Sequence, residues 1–139
     1  MSPEAFARIV REATDEQLAA GLRANRELIL TELFRQMPQS LDEQAAAEVD
    51  AVVEWRIGGL EDGGHDRWQV TIRGGRASVE RDPATPAQVV FEIGDADLLR
   101  LVAGAVEGPV LFMHGRLRVD GDLVLALQLP QLFRLPGGG

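Results

Sequence analysis

Two histidines and three serines are the side chains of this 139-residue chain that most readily suggest acid–base or nucleophilic chemistry. His114 directly follows apolar residues 111–113, where it could orient the polar end of a ligand or transfer a proton. None of Ser2, Ser40 and Ser78 lies in the Gly-x-Ser-x-Gly sequence of hydrolase nucleophiles. We therefore predict no catalytic residue, and we treat His114 as a candidate ligand contact.

The segment around His65, from Asp62 to Asp66, superficially offers ligands for a metal ion. However, the second histidine is distant in sequence, the chain has no cysteine, and the spacing matches no established metal site. Gly115 and Gly121 match neither the phosphate-binding loop nor the dinucleotide fingerprint. We predict a solvated loop at His65, no metal and no cofactor.

The charge balance argues against two classes of partner. With a net charge of -8 and a pI near 4.7, the chain lacks the basic clusters that bind nucleic acids and anionic membranes. Residues 1–8 contain an early acid and no long apolar run, so we predict neither a signal peptide nor a membrane span. The expected protein is cytoplasmic, with no nucleic-acid binding and no stable membrane insertion.

The first 37 residues have the pattern of amphipathic helices. Ser2 could cap a first helix that begins at Pro3 and carries Ile9 on its predicted apolar face. Thr14, with Gln17 three residues later, predicts a capping box that begins a second helix, and residues 26–37 form a third segment.

From residue 53 the apolar period changes to two, which is typical of half-buried strands. Residues 53–57 and 68–72 both alternate in this way. Gly74-Gly75 predicts a tight hairpin into a third strand at residues 76–80, and residues 89–93 form a fourth strand.

The last third of the chain predicts a helix, a strand and a final helix. Asp95 would cap the first of these helices and Gly104 would end it. The strand would cover residues 116–119, and Asp122 would cap a last helix that Pro130 interrupts. This order of elements indicates an α+β protein.

Four sequence blocks, in this order, resemble the sterol carrier protein family (type two), a group of small lipid-binding domains. The blocks are VVEWRIGG at 52–59, WQVTIRGGRA at 68–77, VFEI at 90–93 and FMHGRLRVDGD at 112–122. The resemblance covers about residues 33–135 and implies a five-stranded, largely antiparallel sheet, covered by helices on one face, with an apolar tunnel between them. We expect one domain over residues 1–136, with a helical N-terminal extension at 1–37 and a disordered tail at 137–139.

In this family the C-terminal helix and the segment before the last strand form part of the tunnel wall, which implies a set of ligand-binding residues here. The implied wall residues are Leu111, Phe112, Met113, Leu123, Leu127 and Phe133, the implied floor or core residues are Trp55, Val70, Phe91, Leu98 and Val102, and His114 is the polar candidate. The implied function is that of an intracellular carrier for a fatty acyl chain, a sterol-like molecule or another apolar metabolite.

Two other functions stay open. The chain could be an enzyme, or an accessory domain of one, that shapes a small apolar substrate with His114 as a proton relay. Alternatively, the N-terminal helices could form a homodimer or bind a partner. Arg116 and Arg118 alternate with apolar residues and are expected to face water. Alternatively, one of them, or Arg134, could contact an anionic head group at the tunnel mouth.

Overall fold

Five β-strands form one mixed sheet in the structure, a computed structural model that describes residues 3–60 and 62–133. Their bounds are β1 Ala51–Gly58, β2 Asp66–Arg73, β3 Arg76–Arg81, β4 Val89–Gly94 and β5 Leu117–Gly121. The strand order is β3-β2-β1-β4-β5; β1 and β4 are parallel, and the other neighbouring strands are antiparallel. The predicted α+β class and the largely antiparallel sheet are confirmed.

The helices of the described residues precede the sheet and flank its last strand. They are α1 Pro3–Glu12, α2 Asp15–Gln36, α3 Glu43–Ala46, α4 Asp95–Val102, α5 Gly108–Met113 and α6 Leu123–Leu132, with a 3-10 turn at Met37–Ser40. None of these helices is both long and apolar enough to cross a membrane.

Two features predicted from local sequence are confirmed at α2 and at the β2–β3 turn. The Thr14 hydroxyl accepts a hydrogen bond from the Gln17 amide at 3.1 Å, and the Gln17 side chain accepts one from the Thr14 amide at 2.9 Å. Gly74 and Gly75 have φ values of +58° and +77°, as the tight hairpin requires. The two helical segments predicted after Thr14 form one helix, with a non-helical residue, Asn25 (φ -140°), at their junction.

The predicted cap of α4 is wrong. Gly94 occupies the N-cap position, and Asp95 is the first helical residue. Asp95 Oδ1 still accepts a hydrogen bond from the Ala96 amide in the first turn of α4 at 2.7 Å, and Oδ2 accepts one from Arg26 Nη1 at 2.6 Å, so the carboxylate is shared between the helix and a long-range ion pair. Gly104 has φ +74° and follows the end of α4, as predicted.

The last strand and helix also differ from the prediction. Strand β5 begins one residue later and ends at Gly121, and α6 continues through position 130 to Leu132. Leu129 and Leu132 are both buried in the core, so apolar burial holds the helix on each side of the residue that was expected to interrupt it. The cap at Asp122 is confirmed by a hydrogen bond from the Leu125 amide at 3.0 Å. Helix α5, with six residues, is too short to give a periodic signal and was absent from the predicted order.

Alternation along the strands gives the sheet one apolar face and one polar face. Helices α2, α4, α5 and α6 cover the apolar face and share one core with it. The sheet contributes Val53, Ile57, Val70, Ile72, Val89, Ile93 and Leu117 to this core, and the helices contribute Leu30, Phe34, Leu98, Leu111, Leu125 and Leu129.

A second apolar cluster joins the N-terminal helices to the outer side of α4. It contains Ala7, Val10, Leu18, Leu22, Leu99 and Ala103. Arg11 Nη2 also donates a hydrogen bond to the carbonyl of Ala103 at 3.1 Å. Ile9, predicted on the apolar face of α1, is instead exposed. The proposed cap Ser2 and the tail at residues 137–139 lie outside the described residues.

Candidate functional site

One row of side chains crosses the helix-facing side of the sheet from edge to edge. The strand register aligns Arg81, Trp68, Trp55, Phe91 and Val119. The rings of Trp55 and Phe91 stack with centroids 4.7 Å apart and an interplanar angle of 22°. Because these two residues lie on adjacent inner strands, they form an aromatic floor near the middle of the sheet.

Helix α2 closes one end of this row. Phe34 stacks on Trp68 with ring centroids 4.8 Å apart, and the Arg81 guanidinium lies 5.5 Å from the Trp68 ring centroid. The Trp68 indole nitrogen is buried without a hydrogen-bond partner among the described residues. Trp68 is therefore anchored by ring contacts rather than by polar ones.

Trp55 is partly exposed, although it faces the helical layer from the central strand. Val53 and Ile57, its neighbours on the same face of the same strand, are buried. A side chain in the middle of a covered sheet reaches solvent only where the covering helices leave room above it. The covering helices therefore leave part of Trp55 accessible to solvent.

Other apolar side chains are partly exposed while they pack against the core. They include Val102 at the end of α4, Val106 in the loop that follows, Val119 on β5 and Phe133 after α6. Phe133 forms an isolated bridge with Leu41, which ties the end of α6 to the segment after α2. These positions show that the helical layer is incompletely closed towards β5.

Helices α5 and α6 are anchored on one side and expose apolar side chains on the other. Leu111 and Leu125 are buried in the core. The exposed set is Val110, Phe112 and Met113 on α5, and Leu123, Val124 and Leu127 on α6. Met113 and Leu127 are 82% and 74% exposed. Ile9 and Leu28 are the other large apolar side chains exposed in the described part of the chain, so exposed apolar area is concentrated on the two helices that flank β5.

The ligand-binding residues predicted from the sequence fall into three groups by their exposure. Val70, Phe91, Leu98 and Leu111 are buried, Trp55, Val102 and Phe133 are partly exposed, and Phe112, Met113, His114, Leu123 and Leu127 are exposed. The first group is core, the second lies where the core is open to solvent, and the third lies on α5 and α6 or beside them. Their contact with a ligand stays a prediction.

Neither histidine lies in an apolar interior. His114 is the residue that ends α5, and its side chain is exposed. His65 is exposed in the β1–β2 loop. Within residues 3–60 and 62–133, no group of three or more histidine and acidic side chains is arranged to hold a metal ion.

The polar face of the sheet contains a buried carboxylate that the sequence pattern did not indicate. The side chain of Glu54 is 3% exposed and accepts hydrogen bonds from Arg56 Nε at 2.6 Å and Arg67 Nη2 at 2.9 Å. Burial alone would raise the pKa of Glu54, but the hydrogen bonds from Arg67 and Arg56 outweigh it and hold the pKa below its usual value. Arg56 lies two residues after Glu54 and therefore on the same face of β1, and this spacing is the sequence feature from which the pairing could have been predicted.

A second ion-pair cluster connects α2 to the sheet. Arg26 Nε lies 3.0 Å from Asp66 Oδ2, and Nη1 lies 2.6 Å from Asp95 Oδ2. Arg26 Nη2 also donates to the carbonyl of Ile57 at 2.8 Å. Arg26 directly follows the non-helical residue Asn25, so this cluster fixes the position at which α2 changes direction.

Similarity to known proteins is consistent along the sequence and in three dimensions. Hydroxysteroid dehydrogenase-like protein 2 of Xenopus laevis is 28% identical over 104 residues, covering 74% of this chain and 24% of the relative. The crystal structure of sterol carrier protein 2 like 2 from Aedes aegypti has a TM-score of 0.62 at 20% identity, covering 80% of this chain and 98% of that chain. The solution structure of palmitated SCP2L2 from Aedes aegypti has a TM-score of 0.58 at 18% identity, covering 74% of this chain and 88% of that chain.

The chain spans about a quarter of the length of the curated relatives it matches. The sequence model of the SCP-2 sterol transfer family matches residues 30–134. That range contains all five strands described above and both helices with exposed apolar faces. The chain therefore belongs to the SCP-2 sterol transfer family and has its lipid-binding α+β fold.

Proposed function

We propose that this domain carries an apolar ligand, such as a fatty acyl chain or a sterol-like molecule, in the space over Trp55. The aromatic pair of Trp55 and Phe91 forms the floor, and the exposed faces of α5 and α6 form the rim. The observation that carries this proposal is the partial exposure of Trp55 on a central strand between two buried neighbours. The palmitated form of the Aedes aegypti neighbour supports an acyl ligand.

The chemistry of the named floor and rim residues suits binding rather than bond breaking. Their side chains are hydrocarbon or aromatic, so they contribute apolar burial and no acid or base. Burying about ten methylenes gains on the order of 8 kcal/mol at ~0.8 kcal/mol each. Association costs roughly 4 kcal/mol or more, which leaves about 4 kcal/mol or less, a dissociation constant of about 1 mM or weaker for a chain of ten methylenes without polar help.

Displacement of a fluorescent fatty acid such as cis-parinaric acid tests the proposal. Phe112→Ser and Leu127→Ser should weaken binding because they remove apolar area from the rim, and Val119→Trp should block binding because it fills the floor beside Phe91. Leu28→Ser is the matched control, since Leu28 is 68% exposed on α2, away from the rim helices. Equal binding by all four variants would show that the ligand does not use this space.

A second candidate function rests on the fraction of the relatives that the chain covers. Because it matches only 24% of the hydroxysteroid dehydrogenase-like relative, we propose as the alternative that the domain serves a catalytic domain of a larger protein. Immunoblotting of the native protein with an antibody to this domain distinguishes the two. A band near the 15.1 kDa of this chain supports a free-standing carrier, and a much larger band supports the accessory role.

A further inference from the structure

An open cleft of about 270 Å³ lies on the polar side of the sheet, where β1 and β4 end and β5 begins. The ionisable side chains that line it are Arg56, His65, Glu92, Arg116 and Arg118, and glycines supply much of the rest. Arg56, Glu92 and Arg118 are register partners on the face opposite the helices. The cleft is therefore separate from the space over Trp55.

The cleft is one end of a ladder of alternating charges that crosses four strands. In spatial order the ladder contains Arg67 on β2, Glu54 and Arg56 on β1, Glu92 on β4 and Arg118 on β5. Three guanidinium groups share two carboxylates within the ladder, an excess of one positive charge among these five side chains. This excess is local, since the whole chain has a net charge of -8.

The most weakly paired guanidinium lies at the cleft end of the ladder. Glu54 accepts hydrogen bonds at 2.6 and 2.9 Å from Arg56 and Arg67. Glu92, in contrast, lies 3.5 Å from Arg56 and 3.8 Å from Arg118, which is longer than an N–H···O hydrogen bond. The Arg118 side chain is 81% exposed, so its guanidinium presents donors to the cleft.

Arg116 adds a second guanidinium on the other side of the cleft. Arg116 donates two hydrogen bonds to the carboxylate of Asp97, one from Nε at 3.0 Å and one from Nη2. Asp97 also accepts a hydrogen bond from Arg100, which pairs with Asp15 as well. Arg118 on β5, Arg116 directly before that strand and Arg56 on β1 thus surround a space large enough for a small anion.

We propose that this cleft binds the phosphate group of a soluble small molecule. Planar guanidinium groups donate two parallel hydrogen bonds to phosphate oxygens, and several of them around one cleft favour a doubly charged anion. The net charge of the chain opposes approach to an anionic membrane, which favours a soluble source of the phosphate over a lipid head group. This site lies beyond the proposed lipid-binding function and does not depend on it.

Titration of the ¹⁵N-labelled full chain with inorganic phosphate and with glycerol phosphate, at constant ionic strength, tests the proposal. We expect saturable amide shifts at Gly58, Gly94 and Gly115, which line the cleft. Arg118→Gln should weaken binding at least about tenfold, because it removes charge-assisted hydrogen bonds to the anion. Glu92→Gln should strengthen binding, because it removes the carboxylate that competes with the anion.

Arg76→Gln is the matched control, because Arg76 lies on the same polar face at the opposite edge of the sheet. The opposite signs expected for Arg118→Gln and Glu92→Gln separate anion binding from a general loss of structure. The same loss of binding in the control, or shifts that do not saturate, would overturn the proposal. Vesicles of phosphatidylglycerol form a further arm: Arg118-dependent binding to them, without a response to soluble phosphate, would overturn the soluble source.

Discussion

Trp55 and Phe91 stack on adjacent parallel strands with their ring centroids 4.7 Å apart, and Trp55 remains partly open to solvent. The other tryptophan, Trp68, is its register partner on β2 and is buried beneath Phe34. The two indoles therefore report on different environments, one beside the proposed ligand space and one inside the core.

This difference gives a spectroscopic prediction for ligand binding. In Trp68→Phe, where Trp55 is the remaining tryptophan, palmitate should shift the fluorescence emission to shorter wavelength, because the acyl chain replaces water beside the indole. In Trp55→Phe, where only Trp68 remains, the emission should not change. A shift confined to Trp55→Phe would place the ligand near Trp68 instead.

The buried carboxylate Glu54 predicts a pH-dependent contribution to stability. Glu54→Gln should lower the free energy of unfolding by about 1–3 kcal/mol at neutral pH, because two guanidinium groups lose their anionic partner. The folded pKa of Glu54 is below its usual value, so the contribution is present above the unfolded pKa of about 4.3 and is lost as the pH falls through the folded pKa. Urea denaturation at pH 7 and at pH 3 measures both effects.

We therefore expect the free energy of unfolding of Glu54→Gln to lie well below that of the wild type at pH 7 and closer to it at pH 3. Glu80→Gln is the control, because Glu80 is an exposed glutamate on the polar face of β3, and it should change stability by less than about 0.5 kcal/mol. A Glu54→Gln difference that is constant with pH would contradict the charged pairing.

The second apolar cluster predicts that the N-terminal helices are integral to the domain. Leu22→Ala should lower the free energy of unfolding by about 2–5 kcal/mol, because Leu22 on α2 is buried in the cluster that α2 forms with α1 and α4. Leu28→Ala, at an exposed position of the same helix, should cost less than about 0.5 kcal/mol. Thermal denaturation of the two variants makes the comparison.

Deletion of residues 1–12 addresses the alternative that these helices form a homodimer. Because Ala7 and Val10 already pack against α4 within one chain, we expect the deletion to lower the stability and leave the number of subunits unchanged in light scattering. A halved mass would support dimerisation through α1.

Gly121 predicts a local steric effect at the end of β5. Its φ is +106°, and an added Cβ would lie 2.4 Å from the carbonyl oxygen of Gln88. Gly121→Ala should therefore lower the free energy of unfolding by at least about 1–3 kcal/mol. Gly21→Ala is the contrasting variant, because Gly21 lies in α2 and the added Cβ would meet no atom within 4 Å apart from its chain neighbours and the backbone of its own helix. It should raise stability by about 0.5–1 kcal/mol, and chemical denaturation of both variants checks the opposite signs.

Local sequence predicted the parts of the fold that local interactions determine. The capping box at Thr14, the Gly74-Gly75 hairpin and the cap at Asp122 each involve residues within a few positions of one another. The N-cap position was misplaced by one residue, to Asp95 instead of Gly94, and the second partner of the Asp95 carboxylate, Arg26, could not be predicted because it is 69 positions away.

The candidate site was only partly predictable for the same reason. The family resemblance selected α6 and the segment of α5, but the burial of Leu111 beside the exposure of Phe112 depends on how the short helix is rotated over the core. The partial exposure of Trp55 depends on where four helices leave room, and no sequence pattern encodes that room. The pairing of Glu54 with Arg67 depends on the β1–β2 register.

The parallel pairing of β1 with β4 has a consequence for synthesis on the ribosome. The β1–β2–β3 meander consists of consecutive antiparallel strands and can form as soon as it emerges. The other edge of β1 then stays open until β4 has been translated, about residue 94. A nascent or prematurely terminated chain would present that hydrogen-bonding edge to its neighbours and aggregate through it.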